Sequence, residues 1–260
     1  MREVTMIGLD CATDDANVGA ALGKWREGSL SVQCVTLCDR FPPAAVVGGW
    51  LGKADEPVLL ALDAPLGWPA PLAQTLVRHR AGDELSAEAN QMFRRMTDHA
   101  IRKNVGKKPL DVGADRIART AHAALRFLAE LRSTLSRPVP LAWSAHALEG
   151  TAAIEVYPAA TLSAHGIRSA GYKKREHVAE RREIIEALRA RLELPIDAGL
   201  LEKNADALDA VVCLLAAKDF VEGQSVSPHD AQLAEQEGWI WSRGRSLPNR
   251  RLQRTRKLPR

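Results

Sequence analysis

The sequence predicts an α/β domain built on a mixed five-stranded sheet that is flanked by helices. Three strand-like segments follow one another near the N-terminus, and the loops that join them are too short to hold a helix, so they form an antiparallel meander. Two later apolar segments each follow a helical stretch, which is the arrangement of a crossover to a parallel strand. Meander and crossovers together give a sheet with both kinds of strand pair.

The meander strands are predicted at residues 4–10, 19–25 and 31–37. The first is a short apolar run rich in strand-forming residues, and it ends at Asp10. A helix is predicted next at residues 43–52, because proline is tolerated in the first turn of a helix. These four elements account for the N-terminal part of the sheet and its first crossover.

The continuous apolar run at residues 58–63 is typical of a strand buried on both faces. Residues 68–152 are helical and basic in pattern and are predicted to be an insertion, most clearly at residues 114–131, where apolar side chains recur at helical spacing. The remaining predicted elements are a fifth strand at residues 153–157, helices at residues 174–192 and 203–220, and a short last strand at residues 239–241.

The composition fits one globular domain in 260 residues, with 46% hydrophobic and 26% charged residues. No apolar run approaches the ~18 residues that a membrane span needs, and the N-terminal residues lack the core of a signal peptide. The four cysteines have no CxxC spacing, so they are expected to be reduced thiols of a cytoplasmic protein.

The net charge of +4 comes from the C-terminal end. Residues 243–260 hold eight of the 36 basic residues and none of the 32 acidic ones, so residues 1–242 carry a net charge of −4. We therefore expect one domain at residues 1–242 and a basic, disordered tail at residues 243–260. Such a tail is either a solvated end or a contact for a polyanion.

Acidic residues lie where the apolar elements end. Asp10 closes the first strand and Asp63 the fourth, while Asp206 and Asp209 share one face of the last apolar helix. Each of them alone has an ordinary explanation as a turn residue, a cap or an exposed charge. If strands one and four are neighbours, however, Asp10 and Asp63 meet at the sheet and the helix can pack across them.

Clustered carboxylates repel one another, and a bound divalent cation removes that cost. Oxygen ligands suit Mg²⁺ or Mn²⁺ and not zinc, and the seven histidines show no zinc-binding spacing. Two such ions ~4 Å apart activate water and stabilise the leaving oxygen of a phosphodiester. With Glu155 of the fifth strand included, the candidate catalytic residues are Asp10, Asp63, Glu155, Asp206 and Asp209.

Five segments together resemble an uncharacterised conserved family of domains of unknown function whose members are predicted nucleases of RNase H-like fold. They are Ile7-Gly8-Leu9-Asp10, Leu62-Asp63-Ala64-Pro65-Leu66-Gly67, Arg94-Arg95-Met96-Thr97-Asp98, Ile154-Glu155-Val156-Tyr157-Pro158-Ala159-Ala160 and Asp206-Ala207-Leu208-Asp209-Ala210. The last segment is also similar to the final catalytic helix of Holliday-junction resolvases in that superfamily. The resemblance implies an RNase H-like fold and a nuclease activity that depends on Mg²⁺ or Mn²⁺.

The resemblance also implies metal-binding roles for Asp10, for Asp63, and for either Asp209 or Asp206. One departure matters, because the predicted helix at residues 43–52 lacks the acid that ribonuclease H proper carries there; Asp55 and Glu56 lie beyond it. This departure favours a resolvase-like arrangement. Resolvase-like chemistry would require a homodimer, although no segment of the sequence specifies an interface.

Basic residues of the insertion are candidate nucleic-acid contacts, because they could neutralise phosphates. The ordinary alternative is a solvated, charged helix. The candidates are Arg94, Arg95, Arg102, Lys103, Lys107 and Lys108.

Three functions remain open at this point. The first is a nuclease that hydrolyses DNA or RNA by metal-activated water. The second is a catalytically silent module of the same fold that binds nucleic acid or protein. The third is a phosphotransferase of the sugar-kinase or actin-like type, which also begins with a strand ending in aspartate but normally needs two such domains.

Overall fold

A mixed five-stranded sheet forms the centre of the protein, whose computed structural model describes residues 3–52, 56–113, 115–195 and 197–244. Its strands lie in the order β3-β2-β1-β4-β5. β1 pairs antiparallel with β2, and β2 with β3, whereas β1–β4 and β4–β5 are parallel pairs. This order confirms the predicted RNase H-like fold class. The strands are β1 (Glu3–Asp10), β2 (Gly19–Arg26), β3 (Ser29–Leu37), β4 (Val58–Asp63) and β5 (Thr151–Glu155).

Helices occupy the connections after β3, β4 and β5. One helix, α1 (Pro43–Leu51), links β3 to β4. The insertion between β4 and β5 contains α2 (Ala70–Leu76), α3 (Ala89–Phe93), α4 (Met96–Val105) and α5 (Asp115–Leu135). The helices after β5 are α6 (Pro158–Ala164), α7 (Val178–Arg189), α8 (Gly199–Lys203), α9 (Ala205–Val221) and α10 (Ala231–Glu237). Among the described residues, no helix is both long and apolar enough to span a bilayer.

Some boundaries differ from the sequence-based expectation for local reasons. The helix predicted at residues 203–220 begins at Ala205, because Asn204 has an extended backbone and its side chain caps α9 by accepting hydrogen bonds from the amides of Asp206 and Ala207. The predicted last strand is only a single parallel bridge, between Glu155 and Ile240.

The sheet is buried on both faces. In β1, Val4 and Met6 pack in the cluster that contains α9, whereas Ile7 and Leu9 pack with α1 and α5 on the opposite face. The same alternation of side chains continues along β4, as the two-residue period of a strand requires. This three-layer arrangement explains why β1 and β4 are apolar runs and not alternating patterns.

Two glycines let α9 lie unusually close to the sheet. A Cβ atom at Gly8 would stand 2.0 Å from the carbonyl oxygen of Ala210, and a Cβ atom at Gly19 would stand 2.1 Å from that of Asp206. No side chain fits at either position, so the backbone of α9 rests directly on β1 and β2. The first turns of α9 are thereby held beside the end of β1.

The buried carboxylate of Glu237 closes the insertion against the C-terminal part of the chain. Its Oε1 accepts a hydrogen bond from the amide of Ala70, and its Oε2 accepts one from the amide of Met96, both at 2.8 Å. One side chain thus accepts a hydrogen bond from one amide in the first turn of each of α2 and α4. Backbone amides at these positions have no partner within the helix.

The described part of the domain extends to residue 244. Arg243 donates a hydrogen bond to Asp219 at 3.1 Å, and the amide of Gly244 donates one to the carbonyl of Gln224. The basic segment expected to be a tail from residue 243 therefore begins with two residues packed on the domain. Its remainder, residues 245–260, lies outside the described residues, as does Asp55.

Candidate metal centre

The parallel register of β1 and β4 places Asp10 directly beside Asp63. Both carboxylates therefore point from the same edge of the sheet, as the predicted strand order requires. Asp209 of α9 completes the group, and one oxygen atom of each of the three carboxylates lies within 4.8 Å of the others. Asp10 and Asp209 are buried, and Asp63 is partly exposed.

The structure distinguishes between the two aspartates of α9. Asp209 enters the cluster, whereas Asp206 lies one turn earlier, is half-buried and lines the cleft outside the three-carboxylate group. The close contact at Gly8 and Gly19 determines this rotation, because it fixes the face of α9 that meets the sheet.

Asp10 and Asp63 line an open cleft of about 1330 Å³, and Asp209 is fully buried beside them. One wall comes from the loop before α5 and the start of that helix, with Leu110, Arg116 and Ile117. The other wall includes Tyr157 and Lys173. A buried set of acids is thus reached from solvent through a cleft that carries both apolar and cationic side chains.

Burial and mutual repulsion make the charged state of the cluster costly. Loss of solvation, followed by the negative charge of Asp209, raises the pKa of Asp10 well above its usual range. Loss of solvation also raises the pKa of Asp63 to about 7, with the Asp209 carboxylate adding to the rise and Lys173 opposing it. The pKa of Asp209 is raised by burial as well. Each carboxylate would be relieved by a cation at their centre.

Two residues of the loop between α6 and α7 contact Asp209. The hydroxyl of Tyr172 donates a hydrogen bond to Asp209 Oδ1 at 2.8 Å, and the ammonium group of Lys173 forms an ion pair with Asp209 Oδ2. The sequence analysis did not select either residue, since this loop has neither strand nor helix periodicity. Their roles follow only from the three-dimensional position of the loop.

The donor set fits a hard divalent cation. Mg²⁺ and Mn²⁺ prefer carboxylate and water oxygens, and here three carboxylates meet beside a cleft that is open to solvent. Ligands held about 2.1 Å from one ion lie at most about 4.2 Å apart. The separation of up to 4.8 Å between these oxygens therefore needs only a small inward rotation of the side chains for all three to share one ion.

Glu155, a predicted catalytic residue, lies outside the three-carboxylate group, although it lines the same cleft. Arg95 donates hydrogen bonds to both of its oxygens, at 2.8 and 2.7 Å, and the amide of Leu66 donates a third at 2.9 Å. Both oxygens are therefore occupied, and the side chain is 4% exposed. Glu155 acts in the structure as the anchor of an internal ion pair.

Arg95, a predicted phosphate contact, lines the cleft but takes part in the same internal ion pair. It is 1% exposed, and its guanidinium group also pairs with Asp98 at 3.1 Å. Arg95 joins the insertion to β5, and its guanidinium group has no atom left for a ligand. Removing one partner of this buried ion pair would leave an uncompensated charge.

The other basic candidates differ in whether another group of the protein already contacts their side chains. Arg94 pairs with Asp111 at 2.9 Å, and Lys107 donates to the carbonyl of Ser169 at 3.2 Å. Arg102, Lys103 and Lys108 are exposed. Arg116, which the sequence analysis did not select, is exposed on the cleft wall and is the basic residue of α5 that faces the carboxylates' cleft.

Without metal, the protonation of Asp63 should make stability depend on pH. The pKa of this carboxyl rises from an ordinary value of 3.8 to about 7 on folding, so the folded chain holds a proton that the unfolded chain has lost between those values. Asp63 should therefore lower the free energy of unfolding as pH rises from about 4 to about 7.

Thermal melts in EDTA between pH 5 and pH 8 check this, with Asp63→Asn as the reference that cannot titrate. We expect the wild type to become progressively less stable than the variant over this range. A difference between the two proteins that stays constant with pH would contradict the raised pKa.

Comparison with known proteins finds a family and a structural likeness. The family model described as "Protein of unknown function (DUF429)" matches residues 8–233. Among curated proteins, none matches the chain significantly. A solved structure of T. thermophilus RuvC in complex with Holliday junction substrate aligns with 85% of this chain and 98% of that chain, at 12% sequence identity and a TM-score of 0.36.

Proposed function

We propose, from the premise that this chain belongs to the DUF429 family, that it is a metal-dependent nuclease that hydrolyses a phosphodiester bond of a nucleic acid. One observation carries the proposal: the carboxylates of Asp10, Asp63 and Asp209 converge within 4.8 Å, and Asp10 and Asp63 open onto a cleft. Three acids share this site, and burial penalises the charge of each.

Asp10, Asp63 and Asp209 would hold Mg²⁺ or Mn²⁺. The bound ion would supply an activated water molecule and stabilise the charge that develops on the leaving oxygen. The protein's own part is to fix the ligands: the β1–β4 register holds Asp10 beside Asp63, and the Tyr172 hydroxyl orients Asp209. Asp206 lies within the cleft at the start of α9, where it can accept a hydrogen bond from a bound water or substrate hydroxyl.

The phosphate backbone of the substrate would be held by cations around the cleft. Arg116 stands on the cleft wall, and Arg102, Lys103 and Lys108 are exposed on the insertion. Such contacts position a nucleic acid without selecting its sequence. The basic segment at residues 245–260 would add affinity of the same salt-sensitive kind.

A cleavage assay tests the proposal. Single-stranded DNA, duplex DNA, RNA, an RNA–DNA hybrid and a four-way junction, each end-labelled, are incubated with the full chain in Mg²⁺, in Mn²⁺ and in EDTA. We expect cleavage of at least one substrate in a divalent metal and none in EDTA. Binding without cleavage of any substrate would overturn the nuclease and leave the catalytically silent binding module. Transfer of phosphate from ATP would point to the phosphotransferase instead.

A further inference from the structure

A positive charge of the protein itself already stands at the carboxylate cluster. The ammonium group of Lys173 contacts Asp209 Oδ2 and also faces the negative charges of Asp10 and Asp63. When all three carboxylates are ionised, they and the one ammonium group leave two negative charges in a largely buried space. The residual charge is equal in size and opposite in sign to that of one divalent cation. Such an ion would have to share the Asp209 carboxylate with the lysine.

The loop is built to keep Lys173 there. Tyr172, which is 1% exposed, anchors the preceding residue through its hydrogen bond to Asp209. The buried guanidinium group of Arg181 donates to the carbonyls of Tyr172 at 2.6 Å, of Lys174 at 2.7 Å and of Arg175 at 3.0 Å. The backbone is thus fixed on both sides of Lys173, and its ammonium group is directed at the cluster rather than left free in solvent.

The side chain itself can leave without disturbing the core. The Lys173 side chain is 55% exposed, whereas that of Asp209 is fully buried. The lysine therefore reaches the carboxylate from the solvent side, and rotation of its own flexible stem is enough to withdraw it. Neither Tyr172 nor Arg181 has to move.

We propose that Lys173 is a resident counter-ion that competes with a divalent metal ion for Asp209 and withdraws toward solvent when the metal binds. Two cations on one carboxylate oxygen repel each other strongly in a site with little water, so both cannot keep their closest contact. The inference rests on the proposed function only in placing the metal at this cluster. In the metal-free protein Lys173 then balances one negative charge of the cluster, and metal binding is an exchange of cations.

Calorimetric titration of the metal-free full chain with Mn²⁺ tests the exchange. In Lys173→Met, which keeps a flexible unbranched side chain and removes its charge, we expect the Kd for Mn²⁺ to fall by about tenfold or more, because no ammonium group has to be displaced. The same variant should melt at a lower temperature in EDTA. Lys174→Met is the matched control, since it removes an equal charge from the adjacent exposed residue. Its Kd should stay within about twofold of the wild type.

A second measurement needs no variant. Amine acetylation of the wild type, read by mass spectrometry, should label Lys173 more when Mn²⁺ is present than in EDTA, while Lys174 stays unchanged. An unchanged or weaker Mn²⁺ affinity in Lys173→Met, or labelling of Lys173 that falls with Mn²⁺, would overturn the competition. If the wild type cleaves nucleic acid and binds Mn²⁺ as tightly as Lys173→Met, only this inference fails. If neither protein binds Mn²⁺, the proposed nuclease fails with it.

Discussion

Replacing Asp10 by asparagine is expected to lower metal-dependent turnover at least about a hundredfold. Residues that merely support a metal ligand typically account for 10–100-fold in metal affinity or activity, so the loss of a ligand itself should exceed that. Asp10 lies beside Asp63 in the sheet and within 4.8 Å of the other two carboxylates, and no other described acid is close enough to replace it in that cluster. Turnover is measured at saturating nucleic acid and Mn²⁺.

The same variant should be more stable than the wild type in EDTA. Burial and the charge of Asp209 disfavour the ionised form of Asp10, and asparagine removes that charge at nearly constant volume. Metal should reverse the order. A ligand that binds only the folded state contributes about 2.7 kcal/mol at a hundredfold excess over its Kd, and Asp10→Asn should gain none of this in thermal melts with Mn²⁺.

Asp206→Asn is the matched control for both measurements. It removes an equal charge from the same cleft, but Asp206 lies outside the three-carboxylate cluster. It should keep the metal-induced stabilisation and lose much less turnover than Asp10→Asn. If Asp206→Asn abolished the metal response while Asp209→Asn left it intact, the metal ligand of α9 would be Asp206.

Replacing Gly8 by alanine is expected to have the largest effect on stability, about 3 kcal/mol or more in the free energy of unfolding. The new Cβ would lie 2.0 Å from the carbonyl oxygen of Ala210, and neither backbone can yield without separating α9 from β1. A variant that still folds should also bind metal weakly, because Asp209 would move away from Asp10. Urea denaturation and Mn²⁺ titration measure the two effects.

Gly49→Ala provides the opposite expectation within the same chain. Gly49 is exposed in α1, and a Cβ there would meet no atom within 4 Å. Alanine favours the helix over glycine by up to about 1 kcal/mol, so this variant should be slightly more stable than the wild type. Equal stabilities of Gly8→Ala and the wild type would mean that α9 does not rest on β1 at this distance.

The parts of the site that depend on chain connectivity could be predicted from the sequence. Loop lengths fix the meander, and crossovers fix the parallel pair, so the meeting of Asp10 and Asp63 follows from the order of elements. The choice between Asp206 and Asp209 could not be predicted, since residues three apart share a helix face. It depends on the rotation of α9, which the close approach at Gly8 determines.

Charge is visible in a sequence, but burial and pairing across long distances are not. Arg95 belongs to a basic stretch and was therefore interpreted as a phosphate contact, although its partner Glu155 lies 60 residues later. Lys173 is the opposite case, a residue near the cluster that the sequence does not indicate. It occurs in a loop without periodicity, and only the packing of Tyr172 and Arg181 brings its ammonium group to the carboxylates.

The double cap formed by Glu237 has a consequence for the order in which the chain folds during synthesis. The backbone amides of Ala70 and Met96 donate to the carboxylate of Glu237, which is 167 and 141 residues further along the chain. Domains fold as they emerge from the ribosome, and contacts between distant residues form last because closing long loops costs entropy. The starts of α2 and α4 therefore stay without this cap until residue 237 has emerged, long after β1 to β4 have been synthesised. By then the nascent chain has already exposed every acid of the cluster.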